Sequence, residues 1–122
     1  MRGGDRTALG LWGEEQAARW LKWRGYRILT TRYRCREGVI DLVAQRGNTL
    51  CFVEVKLRKD SAMAEAREFV TPAKQRKVRT AAMYYLMENP TEKQPRFDVM
   101  EVYAPQGQET RRPVIRHWPN AF

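Results

Sequence analysis

The sequence predicts an α/β domain in which a mixed β-sheet is flanked by helices. Three observations predict it. An apolar stripe at helical spacing opens the chain. Strand-like runs then follow, two of them meeting at a Gly-Asn turn. A second helical pattern separates those runs from one more alternating segment. The order helix, three strands, helix, strand is that of an α/β sandwich around a sheet.

The first helix is expected over 11–24. Glu14, Ala17, Ala18 and Leu21 fall at i, i+3, i+4 and i+7 and share one face. The member of that inward stripe nearest the N-terminus is a glutamate, not a hydrophobe. Gly25 is placed to stop the helix as a left-handed cap. Strands follow over 26–35, 39–46 and 50–58. Gly47-Asn48 reads as a two-residue hairpin loop, since both residues tolerate positive φ. Arg46 then pairs with Thr49, Asp41 lies opposite Glu54, and Val39 lies opposite Lys56. Val43 and Phe52 share the face of the two acids. Ile40, Leu42 and Ala44 face Val55, Val53 and Cys51 on the other side, a wholly apolar surface for a helix to cover. The stretch 59–70 reads as a mobile polar connection. A second helix is expected over 72–87, with Thr71 as N-cap, Pro72 at its first position, and a stripe of Val78, Ala81, Ala82, Tyr85 and Leu86. Asn89-Pro90 ends it. A fourth strand is expected over 96–103 and a short edge strand over 113–118.

A chain of 122 residues, 43% hydrophobic, suits a single domain over 1–122 with a real core. It has no long apolar run and no signal-like N-terminus, so a cytoplasmic protein without a membrane partner is expected. Cys35 and Cys51 make neither a disulfide scaffold nor a zinc set and are expected as small buried strand residues. With His117 the single histidine, Ser-His-Asp chemistry and histidine-bound zinc are disfavoured, and any metal should have oxygen ligands. Trp12, Trp20 and Trp23 are expected in the core and helix packing rather than on an adaptor surface.

The net charge is +9 and unevenly spread. Between positions 19 and 36 there are seven Lys or Arg and no Asp or Glu, and a second cluster holds Lys74, Arg76, Lys77 and Arg79. Such one-sided charge points to a polyanion, because phosphate contacts dominate nucleic-acid affinity. The candidates for backbone contact are Arg19, Lys22, Arg24, Arg32, Arg34, Arg36, Lys74, Arg76 and Lys77.

Two carboxylates opposite each other in a hairpin have Cβ atoms about 4.5–5.5 Å apart and repel. A divalent cation offsets that repulsion, and carboxylate oxygens suit Mg2+ or Mn2+. Lys56, two residues past Glu54, emerges on the same face and can stabilise charge on an attacked phosphate. Glu14 can add a third carboxylate or orient water. Glu14, Asp41, Glu54 and Lys56 thus form a candidate catalytic set for metal-assisted phosphodiester hydrolysis.

Gly13-Glu14 followed by Ala17, Gly25-Tyr26, the run Gly38-Val39-Ile40-Asp41-Leu42-Val43-Ala44, and Phe52-Val53-Glu54-Val55-Lys56 together resemble the YraN family of bacterial endonuclease-like proteins. Lys74 with the helix after it, Arg96-Phe97-Asp98-Val99 and the closing Asn120-Ala121-Phe122 fit as well. The likeness spans nearly the whole chain, and that family is similar in core to archaeal Holliday junction resolvases. It implies a PD-(D/E)xK nuclease with a restriction-endonuclease-like α-β-β-β-α-β core. Asp41, Glu54 and Lys56 take its signature positions, Glu14 is the first-helix acid, and the main-chain carbonyl of Val55 joins Asp41 and Glu54 at the metal. The implied activity is Mg2+- or Mn2+-dependent cleavage of DNA, on branched or repair-type substrates, and a homodimer would suit a four-way junction. One departure stands out: the family pattern usually has glutamate where this chain has Val39. A nucleic-acid-binding module of the same fold, without significant turnover, is therefore the rival expectation.

Overall fold

The computed structural model describes residues 8–59 and 70–122. The elements run α1 (Ala8–Trp23), β1 (Arg27–Cys35), β2 (Gly38–Arg46), β3 (Thr49–Arg58), α2 (Pro72–Glu88), β4 (Gln94–Tyr103) and β5 (Val114–Trp118). This is the expected α-β-β-β-α-β core with a fifth strand at its edge. The five strands lie in the order β1-β2-β3-β4-β5, and only β3 and β4 are parallel. A parallel pair needs a crossover, and α2 lies on that connection. Most of the 59–70 connection lies outside the described residues; Val70, at its end, is buried with Val99 against Trp118 and Phe122.

Each helix covers one face of the sheet. Ala17, Ala18 and Leu21 of α1 pack on Leu42, Ala44, Cys51, Val53, Met100 and Val102. Val78, Ala81, Ala82 and Tyr85 of α2 pack on Ile40, Val43, Leu50 and Phe52. The helix ends follow local chemistry. Gly25 has φ +87°, its N–H donates to Lys22 O at 3.0 Å, and Tyr26 N–H donates to Leu21 O at 3.0 Å. That pair of bonds is a Schellman cap. Thr71 Oγ1 caps α2 by accepting Lys74 N–H at 3.2 Å. Gly13 lets α1 approach β3 closely, since a Cβ there would lie 2.9 Å from Leu57 Cδ2.

The structure departs from expectation in five places. The hairpin needs positive φ only at Gly47 (+58°), not at Asn48. The β2–β3 register holds from Arg46↔Thr49 to Leu42↔Val53 and then stops. Ile40 joins the α2 side while Leu42 and Ala44 lie under α1, so the alternation slips by one residue at Asp41. Trp23 is 86% exposed, unlike Trp12 and Trp20, which pack against the α1 cluster. Finally, both cysteines are free, and only Cys51 is fully buried; Cys35 is half-buried near the end of the sheet.

A buried carboxylate ties β4 to β5 and the C-terminal segment. Asp98 accepts from Arg96 Nε and Nη2 at 2.9 Å each, and from Asn120 N–H at 3.0 Å. His117 Nε2 lies 2.8 Å from its Oδ2. Burial alone would raise the Asp98 pKa, but the contacts from His117, Arg96 and Asn120 outweigh it and hold the group below its ordinary value. Asp98→Ala should lower stability by about 3–5 kcal/mol at neutral pH, the cost of removing the buried acceptor from the part-buried Arg96, His117 and Asn120 donors. A depressed pKa contributes stability above the ordinary carboxylate range and loses it as pH falls through the folded value. The gap between variant and wild type should therefore narrow in acid. Urea midpoints measured from neutral to acid pH check this, and a neutral-pH midpoint equal to wild type would contradict it.

Candidate active site

Where β2 and β3 part, a cleft of about 240 Å³ opens. Glu14 and Gly10 of α1, Asp41 of β2, Glu54, Val55, Lys56 and Leu57 of β3, and Lys74 of α2 line it. The cleft therefore gathers residues from both helices and the two strands between them, including all four members of the candidate catalytic set.

Asp41 is the pivot. Its Oδ2 accepts Val55 N–H at 2.8 Å. Had the hairpin register continued, that amide would have gone to the main chain of Ile40. The carboxylate has taken the place of a ladder acceptor, so Asp41 and Glu54 are not a cross-strand pair. Nor does Val39 face Lys56 in the ladder; its recorded partner is Arg34 on β1. The neighbouring strand is irregular at the same level, where Arg32 has φ +51°, a left-handed value uncommon outside glycine.

Glu54 is 2% exposed. Its Oε1 lies 3.4 Å from Lys74 Nζ, while its Oε2 is buried without a hydrogen-bond partner among the described residues. Burial first, and then the neighbouring Asp41 charge, push its pKa up to about 8 against the pull of Lys74 and Lys56. Burial also raises the Asp41 pKa, opposed by the Val55 amide and the nearby lysines. Glu14 lines the same cleft and is engaged there by a partner of its own. Arg32 holds it in a two-bond pair, Nε to Oε1 at 3.0 Å and Nη2 to Oε2 at 3.2 Å.

The basic residues divide into two groups. Arg32 and Lys74, expected as backbone contacts, are ion-pair partners of Glu14 and Glu54. Lys77 sits beside the β1–β2 turn that carries Arg36, since a Cβ on Gly38 would lie 3.7 Å from Lys77 Cβ. Arg34, Arg36, Arg76 and Lys77 are exposed. Arg19, Lys22 and Arg24 are exposed too, but they lie toward the far end of α1. Arg24 is about 15 Å along the helix from Glu14 at ~1.5 Å per residue. Its carbonyl accepts from Arg46 next to the hairpin loop, and its guanidinium stacks 3.8 Å from the Trp20 ring centre. The basic run 19–36 is thus not one surface at the cleft.

Among the described residues no group of three or more His, Cys, Asp or Glu side chains is arranged to hold a metal ion. Two carboxylates can suffice for Mg2+, which keeps several waters. The unpartnered Oε2 of Glu54 beside Asp41 fits such an ion. Lys74 as a cleft residue was invisible to sequence spacing, because it arrives from α2 on the far side of the crossover.

The acid pair sets a pH dependence. A carboxyl whose folded pKa is raised keeps its proton longer when folded, so stability should fall as pH rises from about 4.5 to about 8. Glu54→Gln removes that titration. In chelator, its urea midpoint should change less across this window than that of wild type, and parallel curves would contradict the assignment.

The chain resembles proteins of one family along most of its length. The model of the Uncharacterised protein family UPF0102 matches residues 13–102. A UPF0102 protein of Nocardia farcinica is 41% identical over 122 residues, covering 99% of this chain and 94% of the relative. One from Syntrophotalea carbinolica is 41% identical over 119 residues, covering 97% and 94%. One from Anaeromyxobacter dehalogenans is 43% identical over 124 residues, covering 98% and 90%. With its matched span running from the α1 glycine that meets β3 to the end of β4, this chain belongs to the UPF0102 family.

Proposed function

We propose that this protein is a nucleic-acid-binding domain of nuclease-like fold that grips phosphates at the β2–β3 cleft and the basic surface beside it. One observation carries this reading: each acid of the cleft already has one partner from within the protein, although Glu54 Oε2 is left over. Arg32 neutralises Glu14, Lys74 approaches Glu54, and the Val55 amide occupies Asp41. Lys56, Arg34, Arg36, Arg76 and Lys77 then remain as cations for a backbone, on a chain of net charge +9. Phosphate contacts carry no base information, so binding should be steep in salt and nearly independent of sequence. DNA is the expected ligand, and a cytoplasmic location would suit it. No described helix is long and apolar enough to cross a membrane.

Metal-dependent hydrolysis of branched or repair-type DNA is the second reading, and the stranded Oε2 of Glu54 favours it. Asp41, Glu54 and the Val55 carbonyl would hold Mg2+ or Mn2+. When bound, such an ion supplies charge neutralisation at the phosphate and activation of water. Lys56 stabilises charge developing on the attacked phosphate. The Glu14–Arg32 pair keeps the α1 wall of the cleft in place.

Fluorescence anisotropy with labelled DNA in chelator tests the first reading. Affinity should fall at least about tenfold between roughly 50 and 200 mM salt, and a flat response would contradict it. Calorimetry with Mn2+ and single-turnover cleavage test the second. Asp41→Asn should weaken Mn2+ binding with the fold intact. Lys56→Ala should leave metal affinity nearly unchanged, cost DNA affinity no more than one phosphate contact, and slow any cleavage by about 10²–10³. Equal rates for Lys56→Ala and wild type would remove its assigned role, and no cleavage by either would leave binding alone.

A further inference from the structure

A second groove, of about 410 Å³, lies past the end of β3 against β4 and β5. Lys59, Arg112 and Arg116 line it together with Tyr103, Pro105 and Val114. No carboxylate among the described residues lines it. The neighbouring acid, Glu101, is fully buried and already engaged, accepting Trp118 Nε1 at 2.8 Å and Arg58 Nη1 at 3.3 Å and lying against Tyr103. The groove therefore presents convergent cations around an apolar floor.

Its position ties it to the cleft. β3 carries Glu54 and Lys56 and ends at Arg58, immediately before Lys59. Lys56 and Lys59 are separated by about 10 Å at ~3.3 Å per strand residue. That span is short enough for one single strand to reach both places. A duplex offers such a groove only its phosphates, whereas the apolar floor suits an unpaired base. Val114 is exposed in that floor. Arg116 is exposed as well, with its guanidinium centre 5.9 Å from the Tyr103 ring centre, so its outer plane is available to stack on a base.

We propose that this groove is a subsite for single-stranded nucleic acid, holding a nucleotide a few positions from the phosphate seated at the cleft. The proposal rests on the nucleic-acid reading above and adds the strand state of the ligand. Phosphate would contact Lys59, Arg112 and Arg116, and the base would lie against Val114 and Pro105.

The test compares wild type with the Arg112→Ala/Arg116→Ala double variant, both arginines being exposed and the fold checked by circular dichroism. Fluorescein-labelled (dT)12 and a 12-base-pair duplex are the probes, read by anisotropy in chelator across a salt series. The double variant should bind (dT)12 at least about tenfold more weakly, with a salt slope shallower by about 1.4 for two lost phosphate contacts. The duplex should lose clearly less. If wild type binds (dT)12 steeply in salt and the double variant matches it, the subsite is wrong while the nucleic-acid reading stands. Equal losses on both probes overturn the single-strand assignment. Failure of wild type to bind either probe overturns the subsite and the nucleic-acid reading together.

Discussion

The hydrogen bond from Val55 N–H to the Asp41 carboxylate is the contact on which the cleft depends. Two strands cannot part inside a fold without stranding main-chain donors, and a stranded donor costs about as much as a lost hydrogen bond. Asp41 supplies the missing acceptor from its own side chain. The strands can then diverge after Leu42↔Val53 while the amide of Val55 stays satisfied. The gap admits Glu54 from β3, Glu14 from α1 and Lys74 from α2 to one space. It also places Asp41 close enough to Glu54 to raise that residue's pKa.

Two buried carboxylates show how differently one fold treats the same chemistry. Asp98 is surrounded by donors from Arg96, His117 and Asn120, and its pKa is held down. Glu54 is as deeply buried, yet has one long ion pair and one oxygen without a partner, and its pKa is held up. The first arrangement ties strands and the C-terminal segment together. The second leaves interaction capacity unused in a concave, partly open place, which is where ligand sites are found.

Periodicity made the elements legible. The α1 stripe, the Gly25 cap, the Thr71 cap and the two-residue hairpin loop each have a local cause, and each appears where its residues place it. The same counting identified Asp41, Glu54 and Lys56 as neighbours, and the cleft gathers them. It failed where the cause is not local. The slip at Asp41 needs one residue to leave the alternation, and no residue type marks it. Arg32 adopts a left-handed φ that favours glycine or asparagine, so nothing in its identity announces the irregularity. The Glu14–Arg32 pair spans eighteen positions and two elements. Charge counting treated Arg32 and Arg24 alike, although one closes the cleft wall and the other lies toward the hairpin end.

The central claim is that the parted strands at Asp41 create the ligand site. A two-dimensional ¹H–¹⁵N NMR titration with a short DNA oligonucleotide in chelator tests it most directly. The Val55, Lys56 and Lys74 amides line or border the cleft and should shift first and furthest, saturating together at the affinity measured by anisotropy. Shifts confined to the Trp20–Arg24–Arg46 end of the molecule, with Val55 unmoved, would contradict it.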